Sequence, residues 1–134
     1  MGENNRNLTD AEWNVMECLW QKSPRTGRET IDWLKERMGW SRSTTLTHLR
    51  RMEAKGAVGS RTVDGLKTFI PLVKREDAVL RETNDFLGRI YKGSLSLMVS
   101  QLTQKQALPQ DEIEELYAIL DQMKADTEGE TEPK

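Results

Sequence analysis

Short hydroxyl side chains and arginines are concentrated in one segment, WSRSTTLTHLRRMEAKG, residues 40–56. Short hydroxyls let a helix approach the edges of nucleic-acid bases closely, and arginines at the margins of such a face can reach phosphate or guanine. Neighbouring threonines also lower helix propensity, whereas an ordinary solvent-exposed face more often carries Glu, Lys or Gln. We therefore predict that this segment contacts nucleic acid. A solvated helix start is the alternative interpretation, because Ser and Thr are also common there.

The spacing of the apolar residues predicts which face of this helix is buried. At about 100° per residue, Leu46, Leu49 and Met52 fall within about 120°, which is the width of a core-facing stripe. The opposite arc holds Ser43, Thr44, Thr47, Arg50, Arg51 and Ala54. The apolar stripe would seat the helix on a core while the opposite arc faces the partner.

Charge is distributed unevenly along the chain, although the net charge is only -2. Residues 1–73 carry 12 basic and 9 acidic side chains, and residues 74–134 carry 8 and 13. Within residues 41–67 the ratio is 6 basic to 2 acidic. A polyanion would be attracted to that segment and repelled by the C-terminal region, which makes nucleic acid a candidate partner.

Two helices are predicted before the hydroxyl-rich one. Thr9 and Glu12 have the spacing of a capping box, in which each side chain satisfies a free amide at the start of a helix, and Thr26 and Glu29 repeat it. Ser41 is then the predicted N-cap of the third helix.

Past the third helix the pattern changes from helical to alternating. Gly56 is predicted to end the helix in a left-handed conformation, and Asp64-Gly65 favours a tight hairpin turn between two strand-like runs. Three helices followed by a hairpin is the order of a winged helix-turn-helix, so we predict a mainly α (α+β) fold. Its domains would be a winged helix over residues 1–73, a helical dimerisation region over 74–124 and a disordered acidic tail over 125–134.

Composition excludes several classes of function. Cys18 is the only cysteine and His48 the only histidine, so neither a disulfide framework nor a zinc site is expected, and no cofactor is predicted. The chain has no Gly-rich phosphate loop and no G-x-S-x-G motif, so it is not expected to be an enzyme.

No apolar run approaches the roughly 18 residues of a membrane span, and the polar start does not resemble a signal peptide. A cytoplasmic protein without membrane insertion is expected.

The C-terminal half is predicted to pair with a second copy of itself. A region of about 50 residues with one amphipathic helix and one short apolar stretch has little capacity to build its own core. Folding back onto the winged helix of the same chain is the alternative. The residues expected at the dimer interface are Leu97, Met98, Leu102, Ile113, Leu116, Tyr117 and Leu120. Two winged helices on a two-fold axis would read an inverted repeat in double-stranded DNA.

Several segments resemble the penicillinase and methicillin-resistance repressors, the BlaI/MecI/CopY family. They are LTDAEWNVMECLW, the pattern W-S-x-x-T-x-x-T-x-L-x-R-M with KG between Trp40 and Gly56, FLGRIYKGSLSLMVSQL and LPQDEIEELYAIL. The resemblance covers roughly residues 8–123 and implies a dimeric transcriptional repressor on a palindromic operator.

The resemblance also implies DNA-contacting positions. Carried over by position, these are Ser41, Ser43, Thr44, Thr47 and Arg51. Charge and the helical wheel add Arg42 and Arg50 in the helix and Arg61 and Lys67 along the wing, and His48 is expected at the edge, touching the core or a phosphate. Family members differ from this chain at Thr45, Leu46 and His48, so we expect these residues to alter operator preference.

The resemblance leaves the release of repression open. The copper-responsive members carry a cysteine-rich C-terminal motif, which this chain lacks. The β-lactam-responsive members are cut by a membrane sensor-protease at a bond that aligns with Gln101-Leu102, where both residues differ, so proteolytic release is a hypothesis. A winged-helix protein-interaction module and a small-molecule-sensing regulator are the alternative functions.

Overall fold

A computed structural model describes residues 7–131 as six helices and three short strands. The elements are α1 (Asp10–Gln21), β1 (Arg25–Thr26), α2 (Gly27–Met38), α3 (Arg42–Ala54), β2 (Val58–Val63), β3 (Leu66–Pro71), α4 (Arg75–Tyr91), α5 (Leu95–Lys105) and α6 (Gln110–Thr131). The predicted mainly helical winged-helix order is confirmed.

The first three helices begin where the capping residues predict. The Thr9 hydroxyl accepts from the Glu12 amide at 3.1 Å, and the Glu12 carboxylate accepts from the Thr9 amide at 3.1 Å. Thr26 and Glu29 form the same reciprocal pair at the start of α2. The Ser41 hydroxyl accepts from the amide three residues later and caps α3. Each cap satisfies amides that no helical carbonyl can reach.

The wing is the predicted hairpin of β2 and β3. Its sheet also contains a third strand, β1, which the sequence does not predict. Asp64 and Gly65 have φ of 54° and 79°, so both central residues of the turn are left-handed, as a tight hairpin requires. The two residues of β1 pair with β3, placing Arg25 opposite Phe69, and the strand order is β1-β3-β2. A strand of two residues has no periodicity in sequence, which is why it was not predicted.

The core of the winged helix lies between α1, α2, α3 and the sheet. Its buried apolar side chains are Val15, Met16, Leu19, Leu34, Leu49, Met52, Ala57, Val58 and Phe69. Cys18 is fully buried beside them, and burial raises the pKa of its thiol to about 11. Cys18 thus packs in the interior, where its thiol is shielded from water.

The chain forms two compact units, one ending at Phe86 and one beginning at Leu87. The sequence predicts a different domain boundary, between residues 73 and 74. The first turns of α4 instead belong with the winged helix, because Arg75 pairs with Glu17 at 3.0 Å and Ala78 is buried.

The second unit consists of the end of α4 with α5 and α6. Neither α5 nor the part of α6 whose side chains the structure describes has a buried residue. The predicted disordered tail needs correction, because α6 continues through Thr131; residues 132–134 of that prediction lie outside the described residues. Side-chain pairing four residues apart supports this extension, with the Gln122 amide donating to the Asp126 carboxylate at 3.0 Å.

The buried stripe of α3 is rotated from the predicted one. Thr45, Leu49 and Met52 are buried, whereas Leu46 is only partly buried at the edge of the core. The Thr45 hydroxyl oxygen has no hydrogen-bond partner among residues 7–131. Because Thr45 is buried, any effect of this residue on operator preference would act through the orientation of α3; that effect stays a prediction.

Replacing the Thr45 hydroxyl by a methyl group should stabilise the protein. Thr45→Val keeps the side-chain shape and removes a buried polar group without a partner, so we expect the free energy of unfolding to rise by about 1 kcal/mol. Thr30 is the matched control, since it is equally buried in α2 but donates to the Thr26 carbonyl at 2.9 Å. Thr30→Val should lower the free energy of unfolding by about 1 kcal/mol.

Urea unfolding of both variants beside the unchanged protein measures the difference. A loss of stability in Thr45→Val as large as that in Thr30→Val would contradict the expectation and show that the Thr45 hydroxyl has a partner in solution.

Candidate nucleic-acid interface

The outer face of α3 presents hydroxyl and guanidinium groups together. Ser43, Arg50 and Arg51 are exposed, and Thr44 and Thr47 are partly buried on the same side of the helix. The core-facing stripe occupies the opposite side, so this outer face is the one predicted from the helical wheel. It combines short polar side chains with longer cationic ones, which is the composition that reads base edges and holds phosphates.

Three hydroxyls are linked at the start of α3. The Ser41 hydroxyl donates to the Thr44 hydroxyl at 3.0 Å and lies 3.2 Å from that of Ser43. The first turn of α3 contains no acidic residue, and Arg42 is exposed within it. The positive end of the helix dipole is therefore not offset by a carboxylate in its own first turn, and an anion such as phosphate would be favoured there.

The wing contributes two exposed cations with different surroundings. Arg61 on β2 has no ion-pair partner among residues 7–131. The Lys67 ammonium on β3 lies 3.6 Å from the Glu53 carboxylate of α3 and 5.3 Å from the centroid of the Phe69 ring. Lys67 thus links the wing to α3, and part of its charge is already compensated within the chain.

His48 lies at the margin of the interface rather than on it. Its ring is partly buried and stacks on Trp40 with centroids 4.9 Å apart, and its Nδ1 is buried without a partner among the described residues. The packing on Trp40 agrees with the expected position of His48 at the edge of the face, and its contact with a phosphate stays a prediction. No group of potential metal ligands occurs within residues 7–131.

The end of α3 is held to the start of α1 by an ion pair. The Lys55 ammonium donates to the Glu12 carboxylate at 2.8 Å and to the Asn7 carbonyl at 3.3 Å. Burial raises the pKa of the Glu12 carboxyl, but the hydrogen bonds from Lys55 and from the Thr9 amide lower it by more, so that this pKa lies below its ordinary value. Glu12 thus caps α1 and also holds the end of α3 through Lys55. The capping pattern in the sequence does not predict this second contact.

The family model for the penicillinase repressor matches residues 8–122. This chain belongs to the penicillinase repressor family. The resemblance recognised in the sequence is therefore confirmed over nearly the whole segment that carries it.

Two curated members of the penicillinase repressor family show the extent of the similarity. The penicillinase repressor of Bacillus licheniformis is 32% identical over 117 residues, which are 87% of this chain and 91% of that protein. The methicillin resistance regulatory protein MecI of Staphylococcus aureus is 30% identical over 113 residues, 84% of this chain and 92% of that protein. Both relatives are regulatory proteins, so the prediction that the chain is not an enzyme is confirmed.

Similar solved structures include one of the same family and one more distant. The solution structure of monomeric Bacillus licheniformis BlaI in complex with the blaP half-operator is 30% identical and matches 52% of this chain and 85% of that one, with a TM-score of 0.48. The complex structure of hsRosR-S4 matches 95% of this chain and 99% of that one at 17% identity and a TM-score of 0.52, a likeness of fold.

In this member of the penicillinase repressor family, the residues predicted at the dimer interface are largely uncovered within one chain. Leu97, Leu102, Tyr117 and Leu120 are between 43% and 67% exposed. Met98, Ile113 and Leu116 are partly buried. Leu95 on α5 and Ile119 on α6 are also exposed apolar residues, 54% and 51%, and the sequence does not predict them as interface residues.

The bond predicted as a possible cleavage site lies inside a helix. Gln101 and Leu102 are both exposed, and both lie within α5. A protease binds its substrate in an extended form, so this turn of α5 would have to unwind before the bond could be cut. Proteolytic release stays a prediction. Within residues 7–131, no helix is both long enough and apolar enough to cross a membrane.

Breaking the ion pair between Lys55 and Glu12 should destabilise the protein in a pH-dependent way. The pKa of Glu12 is lowered by folding, so its stabilising effect is present above the ordinary glutamate pKa of about 4.3 and is lost as the pH falls through the lowered value. We expect Lys55→Met to lower the free energy of unfolding by about 1–3 kcal/mol at pH 7 and by much less near pH 3.

Denaturant unfolding of this variant at the two pH values measures the effect. Lys35→Met, at an exposed position of α2, is the matched control and should change stability by less than about 0.5 kcal/mol at either pH. An equal loss at both pH values in Lys55→Met would mean that the hydrogen bond from the Lys55 ammonium to the Asn7 carbonyl stabilises the protein, not the pairing of Lys55 with ionised Glu12.

Proposed function

We propose that this chain is a DNA-binding transcriptional repressor that binds an inverted-repeat operator as a homodimer. The observation that carries the proposal is the outer face of α3, where exposed hydroxyls and arginines lie opposite a fully buried stripe. Membership of a family whose curated relatives include a penicillinase repressor supports repression as the outcome of binding.

The geometry of α3 suggests how the contacts are divided. Ser43 and Thr47 are short, so a helix that lies in the major groove would bring them within reach of base edges. Arg42, Arg50 and Arg51 are longer and stand at the margins of the face, where they would contact phosphates and fix the register of the helix on the duplex.

The wing would add contacts to the DNA backbone on one side of the recognition helix. Arg61 and Lys67 are both exposed on the antiparallel hairpin, one on each strand. Because Arg61 lacks an internal partner among the described residues and Lys67 is bound to Glu53, we propose that Arg61 contributes more to phosphate binding. The linked hydroxyls of Ser41 and Thr44 would receive a phosphate at the positive end of α3.

The second unit supports a homodimer. Its helices expose large apolar side chains that a single chain leaves in contact with water, and burying them against a second copy is favourable at about 25 cal/mol per Å². A two-fold axis would then place two copies of α3 on successive half-sites of the operator. Linking two modules raises their combined affinity through effective concentration.

Arginine and threonine substitutions should affect operator binding in different ways. Arg51→Ala should weaken binding to all DNA sequences, because a phosphate contact carries no sequence information. Thr47→Ala should erode the preference for the operator over other DNA by about 1–3 kcal/mol if Thr47 meets a base. Arg89→Ala, at an exposed position of α4 in the second unit, is the charge-matched control and should leave both affinities unchanged.

Fluorescence anisotropy with operator and scrambled duplexes over a series of salt concentrations measures these effects. If the dimer neutralises about 6–10 phosphates, log affinity should fall against log salt with a slope of roughly -5 to -9. A flat salt response would contradict DNA binding by this face and would favour the protein-interaction module instead.

A charge on the exposed apolar stripe of α6 should separate the dimer. Leu120→Glu would bury an unpaired carboxylate on both sides of a two-fold interface, and we expect dimer affinity to fall by about 100-fold or more. Sedimentation velocity should show the mass falling from twice 15.4 kDa to 15.4 kDa at micromolar concentration. Helix content should not change, because Leu120 is 54% exposed within one chain.

Gln122→Glu adds the same charge at an exposed polar position of α6. It also removes the hydrogen bond to Asp126, at a cost of about 0.2–0.5 kcal/mol to the helix, and it should leave the mass at that of a dimer. The Leu120→Glu variant should bind the full operator far more weakly while keeping its affinity for a half-site. A dimer of undiminished stability in Leu120→Glu would rule out this face as the interface.

A further inference from the structure

A cleft lined by three tryptophans opens between α1, α2 and the start of α4 in the winged-helix unit. Its volume is about 690 Å³, and its wall is formed by Trp13, Asn14, Glu17, Trp20, Gln21, Trp33, Arg37, Met38 and Arg75. Sites for small molecules have volumes of about 300–1,000 Å³ and combine aromatic walls with a few polar groups. None of the residues assigned to DNA binding or to dimerisation lines this cleft.

The tryptophans form a corner that suits a flat ring. Trp13 and Trp20 meet edge to face, with ring centroids 5.3 Å apart and planes at 75°. Trp33 lies on α2 across the cleft, and all three side chains are only partly buried. Aromatic rings attract one another in offset or edge-to-face arrangements, so an added planar ring could stack on one indole and meet the edge of another.

Most polar groups in the wall are already paired with one another. The Glu17 carboxylate accepts from Trp13 at 3.0 Å and from Arg75 at 3.0 and 3.2 Å. The Gln21 side-chain oxygen accepts from the Trp33 indole at 2.9 Å. The Trp20 indole donates to the Val73 carbonyl at 2.8 Å. The indole N–H groups are thus satisfied, and the tryptophans offer a ligand their ring surfaces.

Arg37 is the cation of this cleft that has no such partner. Its guanidinium lies 4.7 Å from the centroid of the Trp33 ring and forms no ion pair or hydrogen bond with any of residues 7–131. A guanidinium stacked on an indole keeps its N–H groups directed along its own plane, where they can bind a carboxylate with two hydrogen bonds. Arg75 differs because it is paired directly with Glu17 and lies 5.9 Å from the centroid of the Trp20 ring. The charge of Arg37 acts on Glu17 only through space, where it helps to lower the pKa of that carboxyl after the larger effect of the hydrogen bond from Arg75.

From this arrangement we propose that the cleft binds a small planar aromatic carboxylate, with its ring against the tryptophans and its carboxylate on Arg37. The inference goes beyond operator binding and does not depend on it. It assigns the winged-helix unit a second ligand site, formed by α1, α2 and the start of α4 rather than by the recognition helix.

Titration of the ¹⁵N-labelled full chain with 2-naphthoate tests the proposal by NMR. The chain has 4 tryptophans, and Trp40 does not line the cleft and serves as an internal control. We expect saturable shifts of the indole N–H signals of Trp13, Trp20 and Trp33 and none for Trp40. The uncharged analogue 2-naphthalenemethanol should bind about tenfold more weakly, because it cannot form the charged pair with Arg37.

A matched pair of variants distinguishes binding to the charge of Arg37 from nonspecific hydrophobic binding. Arg37→Gln should remove the preference for 2-naphthoate over its alcohol, whereas Arg28→Gln, at another exposed position of α2, should retain it. An unshifted indole signal of Trp40 and a dispersed amide spectrum before titration verify that each variant is folded. Absence of saturable shifts up to about 10 mM, equal shifts at Trp40, or an unchanged preference in Arg37→Gln would each overturn the proposal.

Discussion

The direction in which α3 faces is set by the burial of three side chains, Thr45, Leu49 and Met52. Residues on a helix are separated by about 100°, so placing these three against α1 and α2 leaves Ser43 and Arg50 no direction but outward. The remaining features of the candidate interface follow from that constraint. A rotation of the helix by a single residue step would bury hydroxyls and expose leucine.

Positive and negative side chains are distributed unevenly between the segments of the chain. A net charge of -2 conceals a cationic segment on α3 and the wing, because residues 41–67 carry 6 basic and 2 acidic side chains while residues 74–134 carry 8 and 13. Within the winged helix, the ion pairs hold elements together: Lys55 with Glu12 joins α3 to α1, and Arg75 with Glu17 joins α4 to α1. The cations that remain without internal partners are the ones available to other molecules.

The two units bury their apolar side chains to different extents. The winged helix encloses a core of its own, with Met16, Leu19 and Leu34 fully buried. The second unit has long helices and few neighbours, so the apolar residues of α5 and α6 stay in contact with water in a single chain. Burial of these apolar residues would require a partner, which is the role proposed for a second copy of the chain.

Local signals in the sequence determined where the helices of the winged helix begin, where the hairpin turns and which residues form a polar face. These signals act over three or four residues: the capping pairs at Thr9 and Thr26 and the turn at Asp64-Gly65 are confirmed as predicted. Only the tertiary structure decided that Thr45 rather than Leu46 enters the core, that Arg25 begins a third strand, and that tryptophans from two helices share a cleft. Those outcomes depend on contacts between residues far apart in the chain, whose geometry no local pattern specifies.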